Sequence, residues 1–155
     1  MYTKVMVPLD GSELAECVLP HVQAFIKAFT PQSMVFVRVV EPMQVGTGGH
    51  YDTARLVNIN EEEDKRQESA RQYLNEVTAR LEHEGTEFKV EVLRGRVAER
   101  LVDFADENQI DLVLIATHGR SGVSRWVRGS IADRILRSFH APVLMVRAPG
   151  SKGGV

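Results

Sequence analysis

A chain of 155 residues is the size of one ordinary domain, long enough to bury a sizeable core without disulfide staples. Hydrophobic residues make up 43% and charged residues 26%, a globular balance that excludes disordered and fibrous classes. With 19 Lys and Arg against 21 Asp and Glu, the formal charge of -2 gives no general attraction for nucleic acid or an anionic membrane.

The first element in chain order is the apolar run Val5 to Leu9, which ends at Asp10-Gly11-Ser12. Asp-Gly marks a turn, and the Ser12 hydroxyl can accept bonds from free backbone donors of a following helix. The helical stripe is Leu14, Val18, Val22, Phe25, Ile26 and Phe29. Pro20 falls inside it, so a bend or a helix broken in two is expected. Met34 to Val40 reads as a second strand, nearly continuous in apolar character and therefore covered on both faces. Glu41 to about Asn58 contains Gly46, Gly48 and Gly49 without a sustained period and reads as a long, mobile connection.

Glu61-Glu62-Glu63-Asp64 is expected to open the next helix, where negative charge favours the positive end. Its stripe is Ala70, Leu74, Val77 and Leu81, and Gly85 is expected to end it. Phe88 to Leu93 alternates with Lys89 and Glu91, the pattern of a half-exposed edge strand. Gly95 is a turn, and a helix is expected from about Val97 to Asn108. Asp111 to Ala116 is the most apolar strand and reads as central. A last helix from about Ser130 to Ser138 and a last strand, Val143-Leu144-Met145-Val146, complete the order. Such alternation argues for an α/β fold with a mostly parallel sheet and helices on both faces. The domain is expected over residues 1–148, with a flexible glycine-rich tail over 149–155.

The lone Cys17 permits no intramolecular disulfide and reads as a partly buried structural thiol. No apolar run approaches the roughly 20 residues of a membrane span. The N-terminus lacks the pattern of a signal peptide, so the expected location is the cytoplasm.

In a doubly wound sheet, ligands bind beyond the C-terminal strand ends where strand order reverses. Three segments map there: Pro8 to Ser12, Leu93 to Gly95, and Ala116 to Ser130. The third carries Gly119 and Gly122, which let the backbone turn with amides exposed. Gly129 and Ser130 sit at a helix start, and Arg120, Arg125 and Arg128 add positive field. This pattern suits an anion, although a plain glycine-rich turn with solvated arginines reads the same way. Asp10 is either a turn former or a carboxylate for ribose hydroxyls or a cation. His118 is placed for a structural bond or a base. There is no Gly-x-x-x-x-Gly-Lys-Ser/Thr motif, no metal-ligand spacing among the histidines and no nucleophile elbow. Trp126 alone makes no stacking platform for nucleic acid.

Val7-Pro8-Leu9-Asp10-Gly11-Ser12, the spaced Ala116-Thr117-His118-Gly119 and Gly129-Ser130, and Ala141-Pro142-Val143-Leu144-Met145-Val146 together resemble the universal stress protein family. The resemblance runs over about Tyr2 to Arg147. It implies an open, doubly wound, Rossmann-like sheet of five parallel strands that binds adenine nucleotide. It also implies a homodimer paired through Val143, Leu144, Met145 and Val146, and points to the ATP-binding branch, with Mg²⁺ bridging phosphates as a further expectation. On that basis Asp10 meets the ribose or adenine side, and Val39 or Val40 offers backbone atoms to adenine. Gly119, Gly129 and Ser130 cradle the phosphates, and Gly95 shapes a wall. Pro8, Ala116, Thr117, His118, Arg120 and Gly122 complete the candidate nucleotide-contacting set. Ala116 stands where the family's signature has its first glycine. No catalytic or metal-ligating residue is assigned.

Three functions are consistent with these features. The first is an ATP-binding stress or regulatory protein with a regulatory protein client. The second is a dimeric interaction module without physiological nucleotide, and the third is a weak ATPase. None of them calls for nucleic acid or a membrane.

Overall fold

The computed structural model describes residues 2–43, 53–117 and 135–148. The strands are β1 (Lys4–Pro8), β2 (Ser33–Val40), β3 (Glu87–Arg94), β4 (Leu112–Thr117) and β5 (Val143–Arg147). The helices are α1 (Leu19–Phe29), α2 (Thr53–Ala79) and α3 (Val97–Glu107), with a 3₁₀ turn at Ala15–Val18 before α1. Residues 135–138 are also helical. The five strands form one parallel sheet in the order β3-β2-β1-β4-β5. The architecture is an open, doubly wound, Rossmann-like sheet with helices on both faces.

Period-two alternation sends every inner strand to two cores. Val5, Val7, Met34, Phe36, Leu112 and Leu114 face α1 and α2, where Val22, Ile26, Leu74 and Val77 meet them. Met6, Val35, Val37, Val113 and Ile115 face the other way, toward Leu101 and Phe104 of α3 and Ile135. Covering both faces explains the unbroken apolar runs of β1, β2 and β4. Each such fully buried side chain contributes roughly 1.5–3 kcal/mol.

Pro20 does divide the first helix. The 3₁₀ turn precedes it, and Pro20 lies in the first turn of α1, where a missing N–H costs nothing. β3 is at one edge of the sheet, as its alternation predicts, and β4 is interior. The strand expected from Asp111 begins instead at Leu112. Asp111 serves another purpose: its carboxylate accepts bonds from the Thr3 amide, the Thr3 hydroxyl and the Lys4 amide, fastening the start of β1 to β4.

Two expectations about α2 are corrected. The helix begins at Thr53, so the end of the supposed connection from Glu41 to Asn58 is helical and the acidic run lies well inside the helix. The helix also ends at Ala79 rather than at Gly85, which takes a φ of 84° in the turn before β3. Residues 44–52 of that connection, the start of the last helix and the tail lie outside the described residues.

The strand ladders position the site. β1 pairs with β2 from Lys4↔Ser33 to Pro8↔Val37. Its pairing with β4 covers Val5↔Leu112 and Met6↔Val113 alone. Chain order reverses between these two strands, and their ladder stops short, so the sheet opens at its C-terminal end at the switch point.

Candidate functional site

β1 ends in a tight turn built by Asp10. Its Oδ1 accepts the Ser12 amide at 2.8 Å and the Ser12 hydroxyl at 2.6 Å, and Ser12 Oγ in turn accepts the Ala15 amide at 3.1 Å. Gly11 makes the turn with a φ of 86°. The turn-forming role of Asp10 and the capping role of Ser12 are both realised. Asp10 stays half-exposed and faces a cavity.

That cavity has a volume of about 320 Å³ and is lined by Asp10 of the turn, by Arg38, Val39 and Val40 of β2, and by Glu41. Lys65, Arg66 and Ser69 of α2 and Val97 of α3 also line it. The early part of α2 is tied down over the strand ends. The buried Glu63 pairs with Arg94 at the end of β3 and accepts the Met43 amide at 3.2 Å. Arg66 Nη1 donates to the Glu41 carbonyl at 3.1 Å. The Arg38 guanidinium lies over the Tyr73 ring, 5.2 Å from its centroid. A methyl built on Gly11 would stand 2.9 Å from the same guanidinium.

Val39 and Val40 differ in what they can offer. The Val40 carbonyl accepts the Gly95 amide at 3.2 Å. Backbone polar groups alternate sides along a strand, so those of Val39 turn toward β1, beyond its last residue. Gly95 adopts a φ of 132° with Arg100 packed against it, Cγ standing 2.7 Å from where a Cβ would be.

Of the residues expected from sequence, the cavity thus gathers Asp10, Val39 and Val40, with Gly95 adjoining through its bond to Val40. Pro8, Ala116 and Thr117 sit at the neighbouring ends of β1 and β4, outside its lining. Ala116 is buried in the same core as Leu114 and Val146. The Thr117 carbonyl accepts the Ala148 amide at 2.9 Å, tying the end of β4 to the chain after β5. His118, Gly119, Arg120, Gly122, Gly129 and Ser130 lie outside the described residues. Sequence reasoning missed Arg38, Glu41, Lys65, Arg66, Ser69 and Val97. Arg38 had a signal, being the one charged residue inside the apolar run of β2. Lys65, Arg66 and Ser69 had none, because their helix face is polar throughout.

Tyr73 lies behind this wall. Its hydroxyl is buried without a partner in hydrogen-bond geometry. Burial first, and then the carboxylates of Glu16 and Asp10, push its phenol well above the usual range, against the opposing pull of Arg38. The folded chain therefore keeps this proton at pH values where the unfolded chain, with an ordinary phenol near 10, loses it. Tyr73 contributes its full stability below about pH 10, and stability falls as the pH rises beyond that. The urea midpoint of Tyr73→Phe is expected to vary less between pH 9 and 11 than that of the parent. Equal slopes in both proteins would refute this.

Cys17 is half-buried against the core, and burial raises its thiol pKa, as suits a structural thiol. Among the described residues no group of three or more His, Cys, Asp or Glu is placed to hold a metal ion. Among them, too, no helix is long and apolar enough to cross a membrane.

Comparison with known proteins agrees with the fold. Universal stress protein MJ0531 of Methanocaldococcus jannaschii is 29% identical over 96% of this chain and 84% of its own length. MJ0577 of the same organism is 26% identical over 97% of this chain and 98% of its own length. The solved structure of MJ0577 superposes with a TM-score of 0.78, covering 97% of this chain and 99% of that one. A universal stress protein family structure from Arabidopsis thaliana with AMP bound has a TM-score of 0.60 at 11% identity, over 98% and 95% of the two chains, a likeness of fold alone. The family model for the Universal stress protein family matches residues 1–147, and the chain belongs to that family.

Proposed function

We propose that the chain is a cytoplasmic, homodimeric, ATP-binding protein of stress response or regulation, of the family's ATP-binding branch. The observation that carries this reading is the cavity at the opened end of the sheet, where Asp10 and Val39 stand together. Its volume, about 320 Å³, lies within the range of small-molecule sites. Asp10 lines the cavity, where a carboxylate is suited to ribose hydroxyls. Val39 presents backbone groups to adenine, and the phosphates extend toward the end of β4. A Mg²⁺ ion would accompany the phosphates and offset their charge. Membership of the universal stress protein family supports the ligand class, and the burial of Ala116 in the core supports tolerance of its methyl at the signature position.

Calorimetry of the purified protein with ATP and Mg²⁺ is expected to give saturable binding. Absence of both heat and saturation would remove the reading.

The dimer rests on β5. It is an edge strand, and Leu144 and Met145 are exposed large hydrophobics on it. Leu144→Glu is expected to halve the sedimentation mass while leaving the fold intact. An unchanged mass would rule β5 out as the interface. Val146 is a poorer probe, since it is 8% exposed and part of the core.

A further inference from the structure

Three cations line the cavity: Arg38 from β2, and Lys65 and Arg66 from α2. Among the described residues none of the three forms an ion pair with a carboxylate. Arg66 donates to a backbone carbonyl, and Arg38 rests on the Tyr73 ring. The neighbouring Arg94, by contrast, is neutralised by Glu63. Asp10 and Glu41 also line the cavity, so the described residues of its wall carry one positive charge in excess. This excess sits at the β2 side of Asp10. The 5′-phosphates of the nucleotide proposed above would extend the other way, toward the end of β4. They would leave the three cations without an anion.

We infer that the cavity holds a second anion subsite, formed by Arg38, Lys65, Arg66 and the Ser69 hydroxyl, for a phosphate on the 2′ or 3′ position of the ribose. The ligand class is an adenine nucleotide phosphorylated at both the 5′ carbon and a ribose hydroxyl. The inference rests on the nucleotide reading and goes further in naming the preferred nucleotide. In related α/β nucleotide folds an arginine near the ribose is what accommodates a 2′-phosphate. A guanidinium can grip such a group with two parallel bonds, and a lysine adds a point charge. Arg38 is held in place by Tyr73 and the Gly11 turn, so little ordering is needed on binding. The Glu63–Arg94 pair fixes the helix turn that carries Lys65 and Arg66.

The test measures the affinity of the full chain for 5′-AMP, adenosine 2′,5′-bisphosphate and adenosine 3′,5′-bisphosphate by calorimetry at low and moderate salt. At low salt one bisphosphate is expected to bind about tenfold more tightly than 5′-AMP, the ratio shrinking as salt rises. In the double variant Lys65→Gln/Arg66→Gln that ratio is expected to fall below threefold. Lys89→Gln, on the far edge of β3, keeps the parent's ratio. The two isomers separate the ribose positions. A ratio below threefold for both in the parent, or one that survives in the double variant, overturns the inference. Binding of 5′-AMP without any bisphosphate preference leaves the nucleotide reading intact and removes the subsite alone. Binding of none of the three removes both.

Discussion

Phe36→Ala is expected to lower the unfolding free energy by about 3–5 kcal/mol. Phe36 is fully buried at the middle of β2, beside Val7 on β1 and Val90 on β3 in the ladders. Its ring meets Phe88 edge-on, with centroids 5.2 Å apart and planes at 64°. Removing it costs the transfer energy of the ring, the aromatic pair and the cavity left between sheet and α2. Ordinary domains are stable by about 5–15 kcal/mol, so roughly a fifth or more of the total is lost. For a chain of this size each kcal/mol shifts the melting temperature by about 2–4 °C, and a fall of about 10 °C is expected. Urea unfolding monitored by circular dichroism gives the midpoint directly. A loss under about 1 kcal/mol would mean that the helices close over the gap.

The second large effect is expected from Gly11→Val, and it is felt in binding as well as in folding. At a φ of 86° a β-branched residue is strained by about 1–3 kcal/mol. The new Cβ would also stand 2.9 Å from the Arg38 guanidinium. That group ends a flexible side chain, so it will give way rather than the backbone. Displacing it, however, removes a cation from the cavity and its stacking on Tyr73. The turn that aims Asp10 is disturbed at the same time. ATP affinity is expected to fall at least tenfold, measured by calorimetry under conditions where circular dichroism shows the variant folded. Gly85→Val is the control: Gly85 has a φ of 84°, and its nearest neighbour, Thr30 Cγ2, lies 3.8 Å from the built Cβ, remote from the cavity. It should share the strain and keep the affinity. Equal affinity losses in the two variants would show strain alone at work.

The sheet was legible because β1, β2 and β4 are buried on both faces and so announce themselves as apolar runs, while β3 alternates as an edge must. Pro20 and Gly95 also act through backbone constraints that a sequence displays. The early part of α2 was not legible. Among its described side chains the buried apolar stripe begins at Ala70, and the turns before it are held by Glu63 with Arg94 and by Arg66 with the Glu41 carbonyl, contacts between residues remote in sequence. The acidic run misled for the same reason, being read as a helix start when Glu63 is a buried partner for β3. At the site, Asp10, Val39 and Val40 follow from strand ends plus topology. Lys65, Arg66 and Ser69 reach the cavity because a helix crosses above it, and crossing geometry leaves no local mark on a polar segment.

The two edges of the sheet differ in kind. β3 presents Glu87, Lys89 and Arg94 to solvent, whereas β5 presents Leu144 and Met145. Charges along a strand edge discourage another strand from docking, and apolar residues invite it. Each molecule therefore has one adhesive border and one guarded border. In the proposed homodimer, growth from strand to strand would end once two adhesive borders met, because the guarded ones would offer no place for a third copy. Such a pairing would protect the sheet from polymerising along its sides.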